Sequence, residues 1–333
     1  MSPATRPHED ELVARYFRPL ATDPGAFRLG DDCATLSPPD GTDLVLKTDA
    51  VAAGIHFFAD DPWDLVAKKA LRVNLSDLAA KGARPLGYLL SIALPADWRE
   101  DQLAAFSRGL AEDQAAFDVS LLGGDTIRSP DGLVVSITVL GGLPRDTIVR
   151  RGGARPGDVL YVSGTLGDSA LGLALRLDPT KADAWSLSSD ERDHLARRYL
   201  LPEPRLPLAE AVRRHASASM DISDGLGLDL TRMTRVSKVT ATVETARLPL
   251  STAARRALGA DAELIGRIVG GGDDYEILAA IPPSAVAGFE AEARAAGVAV
   301  TPVGTVGAAD TPPSFLAPDG TALVLGTSGF AHF

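Results

Sequence analysis

Little in this sequence is suited to soft-metal or redox chemistry. Cys33 is the one cysteine in 333 residues. A lone thiol excludes an intrachain disulfide and any zinc site built from several cysteines. Five scattered histidines do not supply the missing soft ligands. Long apolar runs are lacking too. The longest, Leu86–Leu94, is interrupted by Ser91 and closed by Pro95, so it reads as a buried strand and no membrane span is expected. The segment from Met1 to Glu11 is polar, with no apolar core of a secretory signal. Positive charge is in deficit: the formal net charge is -11, which argues against a nucleic-acid partner. A cytoplasmic location is the expectation. Familiar nucleotide signatures are absent as well. There is no GxxxxGK[ST] loop, no GxGxxG after a strand, and no HRD and DFG pair.

What is present is aspartate, 32 of them against 12 glutamates. Short carboxylates cap turns and helices, and that alone explains many of them. They also suit hard cations when they stand on tight backbone. Five segments place carboxylates beside small residues: Gly30-Asp31-Asp32, Thr48-Asp49, Asn74-Leu75-Ser76-Asp77, Gly123-Gly124-Asp125-Thr126 and Asp221-Ile222-Ser223-Asp224-Gly225. Gly270-Gly271-Gly272-Asp273-Asp274-Tyr275-Glu276 is a more equivocal sixth. Any one of them reads most simply as a cap or a turn; the conjunction is what capping explains poorly. Like-charged carboxylates at about 4 Å repel by roughly 4 kcal/mol at an effective dielectric near 20. Gathered together they are tolerable only if cations sit among them or some are protonated, and magnesium fits because it accepts carboxylate and phosphate oxygens. Phosphate binding must then rest on metal, on glycine-rich backbone such as Gly123-Gly124, and on arginines such as Arg150 and Arg151.

Periodicity predicts two α/β domains with mixed sheets, divided near Arg150–Asp158, where RRGGARPGD breaks the pattern. In the first domain, residues 1–150, strands are expected at Leu44–Asp49, Leu86–Leu94, Val119–Leu122 and Leu133–Leu140. Helices are expected at Trp63–Lys81 and Glu100–Phe117, with Gly141-Gly142 closing the last strand. In the second, residues 151–333, strands are expected at Val159–Ser163, Val239–Val243, Asp274–Ile281 and Val298–Val306. Its helices are expected at Ser169–Leu177, Leu206–His215, Leu226–Val236, Thr252–Leu258 and Ser284–Ala296. Asp178–Glu191 reads as an exposed loop or helix start.

Eight motifs then occur in one order: GDDCA (Gly30–Ala34), KTDAVAAGIHF (Lys47–Phe57), NLSDLAAKGA (Asn74–Ala83), GGDT (Gly123–Thr126), RGGARPGD (Arg151–Asp158), GTLGDSALGL (Gly164–Leu173), MDISDGL (Met220–Leu226) and GGDDYEI (Gly271–Ile277). This series resembles the thiamine-monophosphate kinases, of the superfamily that includes aminoimidazole ribonucleotide synthetase, over nearly the whole chain. The resemblance implies an α/β (α+β) fold of two domains, with N-terminal sheets pairing into a barrel in a homodimer. The N-terminal domain would bind ATP and magnesium. The implied reaction is magnesium-dependent transfer of the ATP γ-phosphate to thiamine monophosphate, giving thiamine diphosphate and ADP.

Carried onto this sequence, the family's ligands for several magnesium ions fall on Asp32, Lys47, Thr48, Asp49, Asp77, Asp125, Asp221 and Asp224. Lys47 stands where the family often has Ser, and a main-chain carbonyl there would tolerate Lys. Nucleotide contacts fall on Gly124, Asp125, Arg151 and Ser223, and substrate contacts on His56 and Asp273. Asp273 replaces the family's Glu. Thr327 stands where the family often has a Trp on the thiamine ring, and Phe330 is the nearby aromatic that could supply an apolar face. The alternatives are other ATP-dependent synthetases of the superfamily, of purine-pathway or selenophosphate type, and a nucleotide-binding relative without turnover. Selenophosphate synthetase normally uses a reactive Cys or selenocysteine near the N-terminus, whereas Cys33 lies inside GDDCA. A hydrogenase-maturation relative would carry a C-terminal Cys, where this sequence has Phe333.

Overall fold

The computed structural model describes residues 8–323. The chain divides into two units. One comprises the chain up to Leu75 together with Arg84–Arg145; the other takes Ser76–Ala83 and the chain from Asp146 onward. Each is built on a single mixed sheet.

The first unit's sheet has strands β1 (Thr42–Ala52), β2 (Arg84–Pro95), β3 (Leu121–Ser129) and β4 (Val134–Pro144), in the order β1-β4-β2-β3. β4 pairs antiparallel with β1 and β2, and β2 pairs parallel with β3. The period-2 geometry sorts each strand's side chains onto two faces. Val135, Ile137 and Val139 of β4 lie in register with Tyr88, Leu90 and Ile92 of β2, and all six are buried. Apolar residues of the helices Trp63–Lys81 and Glu100–Phe117, among them Leu71, Leu75, Phe106 and Leu110, complete that core. The two helices meet closely. Trp63 packs edge-on against Phe106 at 6.5 Å, and Arg72 donates from Nε and Nη2 to the two oxygens of buried Asp113, both at 2.7 Å.

The other face of this sheet carries Leu44, Leu46 and Thr48 of β1, Thr138 of β4, Leu89 and Ser91 of β2, and Asp125 and Ile127 of β3. Leu44, Leu46, Leu89 and Ile127 are exposed, Leu46 to 66%. At one end Leu140 and Leu36 pack against a small buried cluster of Ala21, Ala26 and Leu122.

The second unit's sheet has β5 (Val159–Ser163), β6 (Ala218–Ile222), β7 (Thr240–Glu244), β8 (Glu276–Ile281), β9 (Val300–Gly307) and β10 (Ser314–Leu316), ordered β10-β7-β9-β5-β8-β6. Its neighbours are antiparallel apart from the β7–β10 pair. Both faces are covered, and β8 is buried along its whole length, as expected for a strand between two layers. Leu278 and Ala280 join one core, with Leu171, Leu226 and Leu230. Ile277, Ala279 and Ile281 join another, with Val212, Phe289, Ala79 and Ala80.

Several expectations are corrected. Gly123-Gly124-Asp125-Thr126 lies inside β3, not in a turn after a strand, and Gly141-Gly142 lies inside β4. A Cβ at Gly124 would stand 1.8 Å from the Leu90 carbonyl oxygen, so glycine here permits strand pairing where the sequence suggests a break. Asp178–Glu191 contains a short helical turn, Lys181–Ala184, and buries Trp185 and Leu187. The helix Leu264–Gly270 and strand β10 have no counterpart in the expected pattern.

Candidate active site

In the first unit the candidate residues stand on β1, on β3 and on the loops that lead into and out of β1. Asp32 is exposed in a bend, its N–H donating to Asp31 Oδ1 at 2.7 Å. The bend follows Phe27, Arg28 and Leu29, with φ of 47°, 56° and 53°. Such left-handed conformations cost roughly 1–2 kcal/mol per residue away from glycine.

Strand alternation separates the residues of Lys47-Thr48-Asp49. Lys47 and Asp49 share the face that carries their strand partners Val139 and Ile137, and Lys47 Nζ lies 3.1 Å from Asp49 Oδ1. Thr48 projects from the open face, where its hydroxyl donates to the Ile137 carbonyl at 3.2 Å and accepts from Thr138 Oγ1 at 3.0 Å. A protonated lysine has no lone pair to give a cation, so only the main-chain carbonyl of Lys47 can serve as a ligand. Asp125 is exposed on β3, its carboxylate accepting from the Thr126 N–H at 2.9 Å. β1 and β3 are opposite edges of the sheet. Three strand spacings separate them, about 14 Å, so Asp49 and Asp125 of one sheet cannot share a single ion.

His56 follows β1 in a turn. Its Nδ1 accepts from the Ala52 N–H at 3.1 Å, and its carbonyl accepts from buried Lys69 Nζ at 2.9 Å. A neutral His56 therefore carries its proton on Nε2.

In the second unit, two glycine-bearing loops lie against each other. Asp221 is buried in β6, which ends at Ile222, and Ser223-Asp224-Gly225 turns into the helix Leu226–Ser237. Asp229, in that helix's first turn, accepts from the N–H groups of Ser223 and Asp224 at 3.0 and 2.9 Å. Burial drives the Asp229 carboxyl up to about 6; the N–H bonds and Arg232 oppose that rise, and the neighbouring Asp224 charge adds to it. Arg232 Nη1 bridges Asp229 Oδ1, at 2.9 Å, and the carboxylate of Asp224. Asp77 and Lys81 lie near the end of the helix Trp63–Lys81, in the part that belongs to this unit, and Lys81 Nζ donates to the Ser219 carbonyl at 2.6 Å.

The second loop, Gly270–Tyr275, presses on the first. A Cβ at Gly272 would stand 2.5 Å from the Ser223 carbonyl oxygen. Asp273 N–H donates to Ser223 O and Tyr275 N–H to Ile222 O, both at 2.8 Å. Between them Asp274 is buried, both of its carboxylate oxygens accepting from the Gly167 N–H at 2.9 and 3.0 Å. Burial pushes the Asp274 carboxyl well above the ordinary range, against the pull of Gly167 and Arg198. Below it, the fully buried Glu276 is held by Arg205, by Arg198 at 3.0 Å and by Ser163 at 2.7 Å. Asp273 and Tyr275 have φ of 67° and 51°. Strain of this kind costs about 1–3 kcal/mol per residue and concentrates at functional sites.

Arg151 is exposed at the start of the second unit. Its neighbours Arg150 and Gly152 line an open cavity of about 380 Å³ with Arg213 and Ser217.

The structure thus joins Ser223 to Asp273 through a main-chain hydrogen bond, Ser223 and Asp224 through their shared acceptor Asp229, and Lys47 to Asp49. Of the eight expected magnesium ligands, five fall in the first unit and three, Asp77, Asp221 and Asp224, in the second. Among the described residues no group of three or more His, Cys, Asp and Glu side chains is placed to hold a metal ion. The donor set nonetheless fits magnesium: carboxylates, one hydroxyl and main-chain carbonyls are hard oxygen ligands. Phe330 and Thr327 lie outside the described residues. Sequence reasoning missed Arg232, although it stands three residues after Asp229 on one helix, a spacing that pairs side chains. Tyr275 and Arg198 gave no such signal.

Comparison with known proteins supplies the rest. Residues 30–143 match the family model of the AIR synthase related protein N-terminal domain, and residues 155–312 that of the C-terminal domain. A thiamine-monophosphate kinase of Caulobacter vibrioides is 46% identical over 305 residues, covering 90% of this chain and 84% of that protein. Among solved structures, a thiamine-monophosphate kinase from Stenotrophomonas maltophilia aligns with TM-score 0.80 and 35% identity, over 89% of this chain and 91% of that one. AaThiL complexed with AMPPCP and TMP aligns with TM-score 0.76 and 30% identity, over 91% of each chain.

Proposed function

Because this chain belongs to the thiamine-monophosphate kinase family of AIR synthase related proteins, we propose that it transfers the γ-phosphate of ATP to thiamine monophosphate by direct in-line attack, releasing thiamine diphosphate and ADP. The observation that carries this reading is the extent of the likeness. It runs through both units, and one aligned relative was solved with AMPPCP and TMP. ATP is then the co-substrate.

The acceptor is a phosphate monoester whose second pKa is about 6, so it is close to a dianion at neutral pH and needs no strong general base. The barrier is repulsion between two polyanions, and catalysis is mostly positioning and charge neutralisation. Magnesium, when bound, supplies positive charge between the phosphates. Asp32, Thr48, Asp49, Asp125 and the Lys47 carbonyl would hold it on the first unit, and Asp77, Asp221 and Asp224 on the second. The backbone at Gly124, with Asp125, Arg151 and Ser223, would bind the nucleotide, and His56 and Asp273 the thiamine moiety. None of the aspartates is required to shuttle a proton. Two carboxylates already carry a cation of the chain, Lys47 on Asp49 and Arg232 on Asp224. Each arrangement keeps a carboxylate oriented and its charge partly offset before substrates arrive.

Homodimerisation through the first unit's sheet completes the reading. Its open face displays Leu44, Leu46, Leu89 and Ile127, and a second copy of the same face, closing the sheets into a barrel, would cover them.

The test is an assay for thiamine diphosphate and ADP with ATP, magnesium and thiamine monophosphate. Wild-type protein is expected to form both products in equal amounts, and Asp77→Asn and Asp221→Asn to lose most of kcat while keeping the wild-type circular dichroism spectrum. Full turnover in excess EDTA would overturn the metal-dependent mechanism. ADP formed only with another acceptor would overturn the substrate.

A further inference from the structure

The Gly270–Tyr275 loop alternates in a way that requires explanation. Asp273 and Tyr275 both adopt left-handed backbone without being glycine, with φ of 67° and 51°. The buried Asp274 lies between them. Three anchors fix this shape: the Asp273 and Tyr275 N–H groups on Ser223 and Ile222, the Asp274 carboxylate on Gly167, and the Arg198 guanidinium on the Asp274 carbonyl at 3.2 Å. Strained backbone persists only where its surroundings over-determine it. The consequence is that the two flanking side chains meet, the Tyr275 hydroxyl donating to Asp273 Oδ1 at 3.2 Å. Both residues are partly exposed, unlike Asp274 and Glu276 on either side of Tyr275.

We propose that Tyr275 is a positioning residue that acts through Asp273, its hydroxyl fixing the direction in which that carboxylate meets the thiamine moiety. The inference rests on the functional reading above, which assigns Asp273 to the acceptor. A carboxylate on a two-bond stem reaches less far than glutamate and must be aimed by its surroundings. The acceptor's cationic and N–H-bearing rings suit such a carboxylate. Neither residue needs to gain or lose a proton for this role, and neither touches the transferred phosphate. The signature is therefore in acceptor binding, with kcat and the KM for ATP spared.

A double-mutant cycle decides the matter. The dissociation constant of thiamine monophosphate is measured by calorimetry for wild type, Asp273→Asn, Tyr275→Phe and the double variant, with KM for both substrates and kcat alongside. Tyr275→Phe removes one hydroxyl and is expected to weaken acceptor binding roughly fivefold, the scale of one hydrogen bond to a partly solvated charge. In the Asp273→Asn background the same change is expected to cost less than about twofold, because its target is gone. Equal losses in both backgrounds, an unchanged dissociation constant, or a matching rise in the KM for ATP would each overturn the proposal. Failure of the functional reading looks different. There the wild type would bind thiamine monophosphate without converting it, and the binding cycle would still show whether Tyr275 acts through Asp273.

Discussion

Asp168 gathers three side chains around its carboxylate, yet its role is structural. Its Oδ2 accepts from Thr165 at 2.6 Å and meets His194 Nε2 at 3.0 Å, while Oδ1 accepts from Ser251 at 2.5 Å. A serine, a histidine and an aspartate are thus together, but serine and histidine both bond the aspartate and not each other. No proton can pass from Ser251 to His194, so the trio is not a nucleophile with its base. Burial alone would raise the Asp168 carboxyl, but His194, Ser251 and Thr165 outweigh it and hold it below the ordinary range. The hydrogen bond to Asp168 raises the His194 imidazole above its ordinary 6.5, against partial burial and nearby Arg198. A histidine raised on folding contributes stability that is full below 6.5 and is lost as pH climbs through the folded-state value. Urea unfolding of wild type and His194→Gln is therefore expected to show a wild-type advantage at about pH 6 that shrinks by about pH 8. The imidazole is partly in water, so the change stays below about 1 kcal/mol. Parallel pH profiles would remove the assignment. None of this is legible in the sequence, because Asp168, His194 and Ser251 come from three separate elements that only the tertiary fold joins.

At the scale of elements, legibility follows the strength of the local signal. The helices Trp63–Lys81 and Glu100–Phe117 are legible to the residue, since each is long and has an apolar side, and the first meets a clear stop at Gly82. The helix Ser189–Leu200 shows in the sequence only as a possible start. Its sequence is mostly polar, and what fixes it is a capping box between Ser188 and Glu191 with burial of Leu195 and Tyr199. Glycine misleads at Gly123-Gly124, where close strand approach and not a turn requires it. The SDG and GGDD segments stand out in the sequence, but not that one hydrogen-bonds to the other, since about fifty residues, with three α-helices and the strand β7, intervene. The pairing of the two long helices is likewise invisible, and it carries a prediction. Arg72 clamps Asp113 with both prongs, and Asp113 is almost fully buried. Removing one partner of such a pair strands a charge, at about 3–5 kcal/mol, whereas replacing both with apolar groups is often nearly neutral. Asp113→Ala is expected to lose stability on that scale in denaturant unfolding, and Asp113→Leu with Arg72→Met to regain most of it. A double variant as weak as the single one would show that packing, not the stranded charge, sets the cost.

For the whole molecule, the first unit's sheet poses the main energetic question. One face is packed to zero exposure at Val135, Ile137 and Val139, while the other leaves Leu46 66% and Ile127 55% exposed. Fully burying one such side chain contributes about 1.5–3 kcal/mol. Four of them on one surface make a strong drive to association, set against the several kcal/mol that lost translational and rotational freedom costs. The pattern is also compatible with self-association, for Leu46 and Ile127 stand on opposite edges, so a twofold mate can present its own apolar rows to each. A charge at the most exposed position should be decisive. Leu46→Glu would bury an unpaired carboxylate in the joined sheets, which desolvation forbids, while in a lone copy it would stand in water at little cost. The expected result, read by light scattering on a sizing column, is a dimer for wild type and a monomer for Leu46→Glu with unchanged secondary structure. Thr48 and Asp125 project from that same face, so the monomer is also expected to lose phosphoryl transfer. A Leu46→Glu protein that stays dimeric would move the interface elsewhere. One that becomes monomeric yet keeps full activity would separate the Thr48 and Asp125 sites from dimerisation.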